Sequence, residues 1–157
     1  MTRSVLYYGV NLGDPRRWQF REVDARGLPA LSWLRDGAEI TPEDDVDDDS
    51  FIDQALAHLV RRTEPSGPVR PAHTFVRERY GVEFGTYAAA GDLAVFLATY
   101  VLRHDWDADP VVLEADWMTR APQAGQWDAL LDTALAVLEM TPTQAAPKWM
   151  MCTRVGD

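Results

Sequence analysis

Apolar positions along this chain recur with two periods, and the points where the period changes mark out its elements. Residues 4–10 (SVLYYGV) are rich in β-branched and aromatic side chains and predict a strand. Turn signals follow in Asn11, Gly13, Asp14 and Pro15. Residues 18–23 (WQFREV) then alternate, with Trp18 and Phe20 on one face and Gln19 and Arg21 on the other. These two stretches predict a hairpin. Gly27, Pro29, Gly37 and Pro42 punctuate residues 24–49, which read as loop with a short strand at 30–34.

A helical period takes over at Ser50. Phe51, Ile52, Ala55, Leu56, Leu59 and Val60 fall on one face, and Ser50 with Asp53 has the form of a capping box. Arg61 and Arg62 complement the end of that helix. A shorter helix is predicted over residues 71–80, stopped by Gly81, and a strand over 82–87. Residues 93–102 (LAVFLATYVL) are apolar on both alternating faces, and their Val, Thr and Tyr content favours a central strand over a helix. Residues 105–110 predict a turn, and 110–113 a short strand pairing back. Trp127, Leu130, Leu131, Ala134, Val137 and Leu138 make the buried stripe of a helix over 126–140, and residues 148–155 (KWMMCTRV) read as a last strand. This order lacks regular βαβ alternation. It predicts one α+β domain over residues 1–157, a largely antiparallel sheet of about five or six strands with two to three helices packed on it.

Charge sharpens the picture more than composition does. The 157 residues carry a formal charge of −10. From Asp36 to Asp53 every charged residue is acidic, and between Arg103 and Arg120 the charged residues are again all acidic: Asp105, Asp107, Asp109, Glu114 and Asp116. A balance of this sign argues against a general nucleic-acid binder and points to a protein partner with a basic surface. No apolar run approaches the length of a membrane span, and residues 1–4 (MTRS) lack the apolar core of a signal peptide. With one cysteine there is no disulfide framework, so the expected setting is reducing and cytoplasmic.

Three constellations invite a chemical reading. The acidic loop at 36–49 resembles a calcium loop when counted from Asp45, because Asp47 and Asp49 then fall at the third and fifth positions. Ser50 and Leu56, however, stand where the turn glycine and the bidentate glutamate belong. His104 with Asp105, Asp107 and Asp109 could form a metal-assisted hydrolytic site if His58 or His73 converged on it. Cys152 sits in a Met- and Trp-rich strand, the setting of a small core residue more than of a nucleophile. Glycine-rich phosphate loops, zinc-protease and hydrolase signatures and C-x-x-C pairs are absent from the sequence.

Three stretches carry a resemblance: residues 7–13 (YYGVNLG), residues 80–84 (YGVEF) followed by Gly91-Asp92, and the tail 140–152 with Met140-Thr141-Pro142-Thr143-Gln144 and Pro147-Lys148-Trp149-Met150-Met151-Cys152. Together they resemble a family of small acidic proteins of high-GC actinobacteria and their phages, whose function is unknown. The resemblance spans most of the chain, and the tail is its most specific part. It implies a bacterial or phage origin and an intracellular setting, and it brings no functional residues.

The expected function is therefore a non-enzymatic accessory module that binds another protein, without a cofactor or metal. Its contact surface is expected to combine Asp44, Asp45, Asp47, Asp48 and Asp49 with aromatic anchors at Trp33, Trp106 and Trp117, which lie in or beside turn-like acidic segments. Two alternatives stay open: the metal-assisted hydrolase built on His104, and a small-molecule binder with an apolar cavity lined by Tyr7, Tyr100 and Trp127.

Overall fold

A computed structural model of the chain describes residues 2–35, 40, 50–67 and 70–155. The order of elements is β1 (Thr2–Asp14), β2 (Arg17–Trp18), α1 (Phe51–Thr63), α2 (Ala72–Tyr80), β3 (Glu83–Ala89), β4 (Asp92–Asp105), α3 (Ala115–Ala124), α4 (Trp127–Leu138) and β5 (Lys148–Val155). The strands form one curled antiparallel sheet, so the α+β expectation holds. β1 lies in its middle. One edge of β1 pairs with β4, from Arg3↔Asp105 to Gly13↔Val95, and the other pairs with β5, from Thr2↔Val155 to Gly9↔Lys148. β3 continues the sheet beyond β4.

Residues 93–102 are strand, as their β-branched and aromatic content predicts. The predicted hairpin is only partly formed. β2 pairs with β1 at Asp14↔Arg17 and Gly13↔Trp18 and then stops. One further bond, from Gln19 N to Leu12 O, follows, and beyond it the Gln144 side chain takes this edge of β1, accepting from Asn11 N at 3.1 Å and donating to Gly9 O at 3.0 Å, before β5 begins at Gly9. Residues 19–21 turn instead toward residues 141–143, with Arg21 N donating to Thr141 O and Thr143 N to Gln19 O. Residues 30–34 are not a strand, although Leu31 and Trp33 are buried.

The helix face of the sheet holds the main core. Val10, Leu12, Val95 and Leu97 meet the apolar stripes of α1 and α4 there. Ser50 caps α1 as predicted, its Oγ accepting from Asp53 N at 3.0 Å. Gly81, in the left-handed region at φ 72°, ends α2. Among the described residues no helix is long and apolar enough to cross a membrane.

The opposite face closes on itself. Phe96 lies over Gly85, its partner on β3, at a spacing where a Cβ on Gly85 would strike the ring. Tyr7 stacks on Phe96 with centroids 3.9 Å apart and planes 6° from parallel. The sheet curls around this stack, so that Tyr87 of β3 and Met150 and Cys152 of β5 pack on one small cluster with Val5 and Ala98. The Tyr7 hydroxyl donates to Met150 Sδ at 3.3 Å, and Tyr87 donates to Asn11 Oδ1 at 2.8 Å. Tyr7 therefore faces away from Tyr100 and Trp127, and the three cannot line one cavity.

Two consequences can be measured. Gly85→Ala should cost about 3 kcal/mol by urea unfolding, because the added methyl overpacks a closed aromatic stack. A loss below about 0.5 kcal/mol would show that the stack yields freely. Alkaline stability is the second. Burial pushes the Cys152 thiol up to about 11 from its ordinary 9.0. Burial, and then its hydrogen bond to Asp128, push the Tyr8 hydroxyl up to about 12 from 10.0. The folded chain keeps these protons where the unfolded chain releases them, so their contribution is complete below the unfolded values and is lost as pH rises. Denaturant midpoints should accordingly hold up to about pH 9 and fall through pH 12. Cys152→Ala should flatten the lower part of that fall and Tyr8→Phe the upper part.

Candidate docking surface

After β4 the chain makes a turn, with Ala108 N donating to Asp105 O at 3.1 Å. Arg3 Nε anchors the start of the turn on Asp105 at 2.6 Å. The His104 ring donates from Nε2 to Asp109 O at 2.7 Å, which holds the far side of the turn. Residues 110–113 do not pair back as a strand. Pro110 has no N–H to offer a ladder, and the segment instead lies across the helix face of the sheet. There Val111 and Leu113, with Leu6, Leu102 and Met151 of the sheet, line a shallow cavity of about 220 Å³.

Every residue from 106 to 117 is exposed. Val112 at 77%, Trp106 at 73% and, on the neighbouring strand β5, Met151 at 69% are the largest apolar groups left to water. The carboxylates of Asp107, Asp109, Glu114 and Asp116 punctuate this same stretch. The result is an exposed stretch in which apolar side chains and carboxylates are interleaved, with no Lys or Arg of its own between residues 104 and 119.

α3, which the apolar periodicity did not predict, ends this stretch. It has no buried residue and carries Pro122 within it. A proline at 122 cannot donate to the carbonyl of residue 118, so Met118 O loses its helical partner. The indole of Trp149 donates to that oxygen at 2.8 Å. A side chain from β5 thus supplies the hydrogen bond that the helix lacks. Trp117 and Trp149 stack obliquely at 5.7 Å, and Trp117 meets Tyr100 edge-on at 5.1 Å. These contacts attach α3 to an aromatic cluster that also includes Tyr8 and Trp127.

The anchors predicted from sequence separate into three kinds. Trp106 is a surface residue, as expected. Trp117 is divided, with one side in the aromatic cluster and 38% of it exposed. Trp33 is a correction. It is only 7% exposed, donates from Nε1 to Leu138 O at 2.8 Å and packs edge-on against Phe51, so it is core and cannot meet a partner. The loop context suggested exposure, but Trp33 itself lies against α1 and the end of α4. Asp44, Asp45, Asp47, Asp48 and Asp49 lie outside the described residues.

The hydrolytic constellation does not assemble. His58 stacks on Trp33 at 6.0 Å and bonds Val137 O, His73 is exposed on α2, and Asp105 is engaged by Arg3. Among the described residues no three His, Cys, Asp or Glu side chains gather as a metal site. Val111, Val112, Leu113 and Met151 were missed as surface residues because their apolar runs read as strand. Pro110, which removes a ladder donor, and the acids on both sides of the run were the available signals. No protein-family model, curated protein or solved structure matches the chain.

The Pro122–Trp149 relation can be tested with a double-mutant cycle. Trp149→Phe should destabilise the protein by about 1–3 kcal/mol, part of it from an unpartnered Met118 carbonyl. Restoring the helical donor with Pro122→Ala should recover roughly 1 kcal/mol of that loss. Strict additivity of the two changes in urea unfolding would show that the indole does not substitute for the missing donor.

Proposed function

We propose that this protein is a non-enzymatic docking module for a protein partner with a basic rim and apolar anchors. The observation that carries the reading is the exposed run 106–117, in which Trp106 and Val112 stand in water among the carboxylates of Asp107, Asp109, Glu114 and Asp116, while Val111 and Leu113 meet Met151 beside it. Isolated apolar side chains on a surface are ordinary, but several in one exposed run, interleaved with one sign of charge, have the composition of an interaction site. Buried aromatic and aliphatic anchors would supply the affinity, and the carboxylates would raise the association rate and select basic partners. A second copy of this chain is a poor occupant, since two acidic stretches would face each other in a protein of formal charge −10. The acids of residues 36–49 add the same sign of charge to the chain, and an intracellular, cytoplasmic setting agrees with the single cysteine.

The test compares three baits in a lysate of the source cell: wild type, Trp106→Ser/Val112→Asp, and Asp107→Asn/Asp109→Asn. All three should melt within about 0.5 kcal/mol of one another, because the changed residues are exposed. Wild type should retain a stoichiometric protein with a basic surface. The apolar double variant should lose it, and the carboxylate variant should hold it more weakly, chiefly through slower association. Retention of the same protein by the apolar double variant, or no stoichiometric protein on the wild type, would overturn the reading.

A further inference from the structure

A second concavity lies between α3 and α4, and it does not depend on the docking surface. Its volume is about 480 Å³, within the range of small-molecule sites. Met118 and Pro122 of α3 form one wall, Gln126 and Asp128 the other, and Tyr8 and Trp149 rise into it from the sheet. Trp149 is fixed by its bond to Met118 O and meets the Tyr8 ring edge-on at 5.4 Å. The phenol of Tyr8 donates to Asp128 Oδ1 at 2.6 Å. Asp128 Oδ2 has no hydrogen-bond partner among the described residues, and the carboxylate is open to the cavity.

The lining residues therefore include one carboxylate, two electron-rich rings, neutral amides and a hydroxyl, and no Lys, Arg or His. An anion would meet a carboxylate and no positive side chain. A neutral apolar ligand would strip water from Asp128 and return nothing to it. An organic cation meets the carboxylate favourably, and its alkyl groups meet the aromatic and apolar lining. We infer that the groove between α3 and α4 is a binding site for a small alkylated ammonium ion, with Asp128 as its counter-ion and Trp149 and Tyr8 as its aromatic wall. Burial and the Asp128 bond keep the Tyr8 hydroxyl protonated, so that it continues to orient the carboxylate throughout the neutral range.

The experiment titrates the full chain with choline chloride at constant ionic strength, reading amide shifts at Thr119, Gln123 and Ala129, which line the groove. A parallel titration uses 3,3-dimethylbutan-1-ol, the same shape without the charge. Choline should give saturable shifts at these amides, and the neutral isostere should bind at least about fivefold more weakly. Asp128→Asn should weaken choline about tenfold, while Asp132→Asn, one turn further along α4 and outside the groove, should leave it unchanged. Equal binding of the isostere, equal effects of the two Asn substitutions, or no saturable shift by about 20 mM choline would each overturn the proposal.

Discussion

β1 is the strand on which the rest of the molecule is assembled, because both of its edges and both of its faces are used. Val5, Leu6, Tyr7, Tyr8, Gly9 and Val10 are all buried, which an antiparallel strand with one wet face would not show. Its partners come from far along the chain: β4 is about ninety residues away and β5 closes the C-terminal end. The register shifts between Tyr8 and Gly9, and there the two backbones come so close that a Cβ on Gly9 would collide with the carbonyl of Leu97. Bulges of this kind increase strand twist and bend a sheet. The curl that follows brings β3 and β5 together around Tyr7 and Phe96, and so the sheet gains a small second core where water would otherwise lie. Pairing of such long sequence separation also means that β1 completes its ladders only after the last strand has arrived.

The two faces of β1 have different consequences. Tyr7 belongs to the closed stack and is committed to structure. Tyr8, the next residue, points to the helix side and joins Tyr100, Trp117, Trp127 and Trp149 in an open aromatic cluster. α3 rests on that cluster without burying any residue completely. Its attachment depends on rings and on one indole hydrogen bond that replaces the donor missing at Pro122. A helix held in this way leaves a groove between itself and α4, and the exposed apolar run leads into its start. The groove is therefore a product of how α3 is mounted.

Elements with a strong period were legible because their pattern records which face is dry. The stripe of α1, the capping pair Ser50 and Asp53, the stop at Gly81, the two-sided apolar run of β4 and the core face of α4 all follow from local chemistry. α3 was not legible: its apolar residues pack on side chains from β4, α4 and β5, and Pro122 reads as a helix breaker unless Trp149 is known to be opposite Met118. Residues 18–23 misled for a related reason. They alternate like a strand, but the edge they would need on β1 is taken first by the Gln144 side chain and then, from Gly9 on, by β5, both from far along the chain.

The candidate surface divides along the same line. Its charge was written in the sequence, since the run of acids between Arg103 and Arg120 is a property of composition alone. Its anchors were not, because exposure is a relation between distant segments. Trp33 and Trp106 both stand in polar, turn-like surroundings, yet one is covered by α1 and α4 and the other by nothing described. By itself the sequence determined the fold class, the main helices and the sign of the surface. Only the tertiary structure decided which apolar residues remain in water, because that depends on which segments claim the edges and faces of β1.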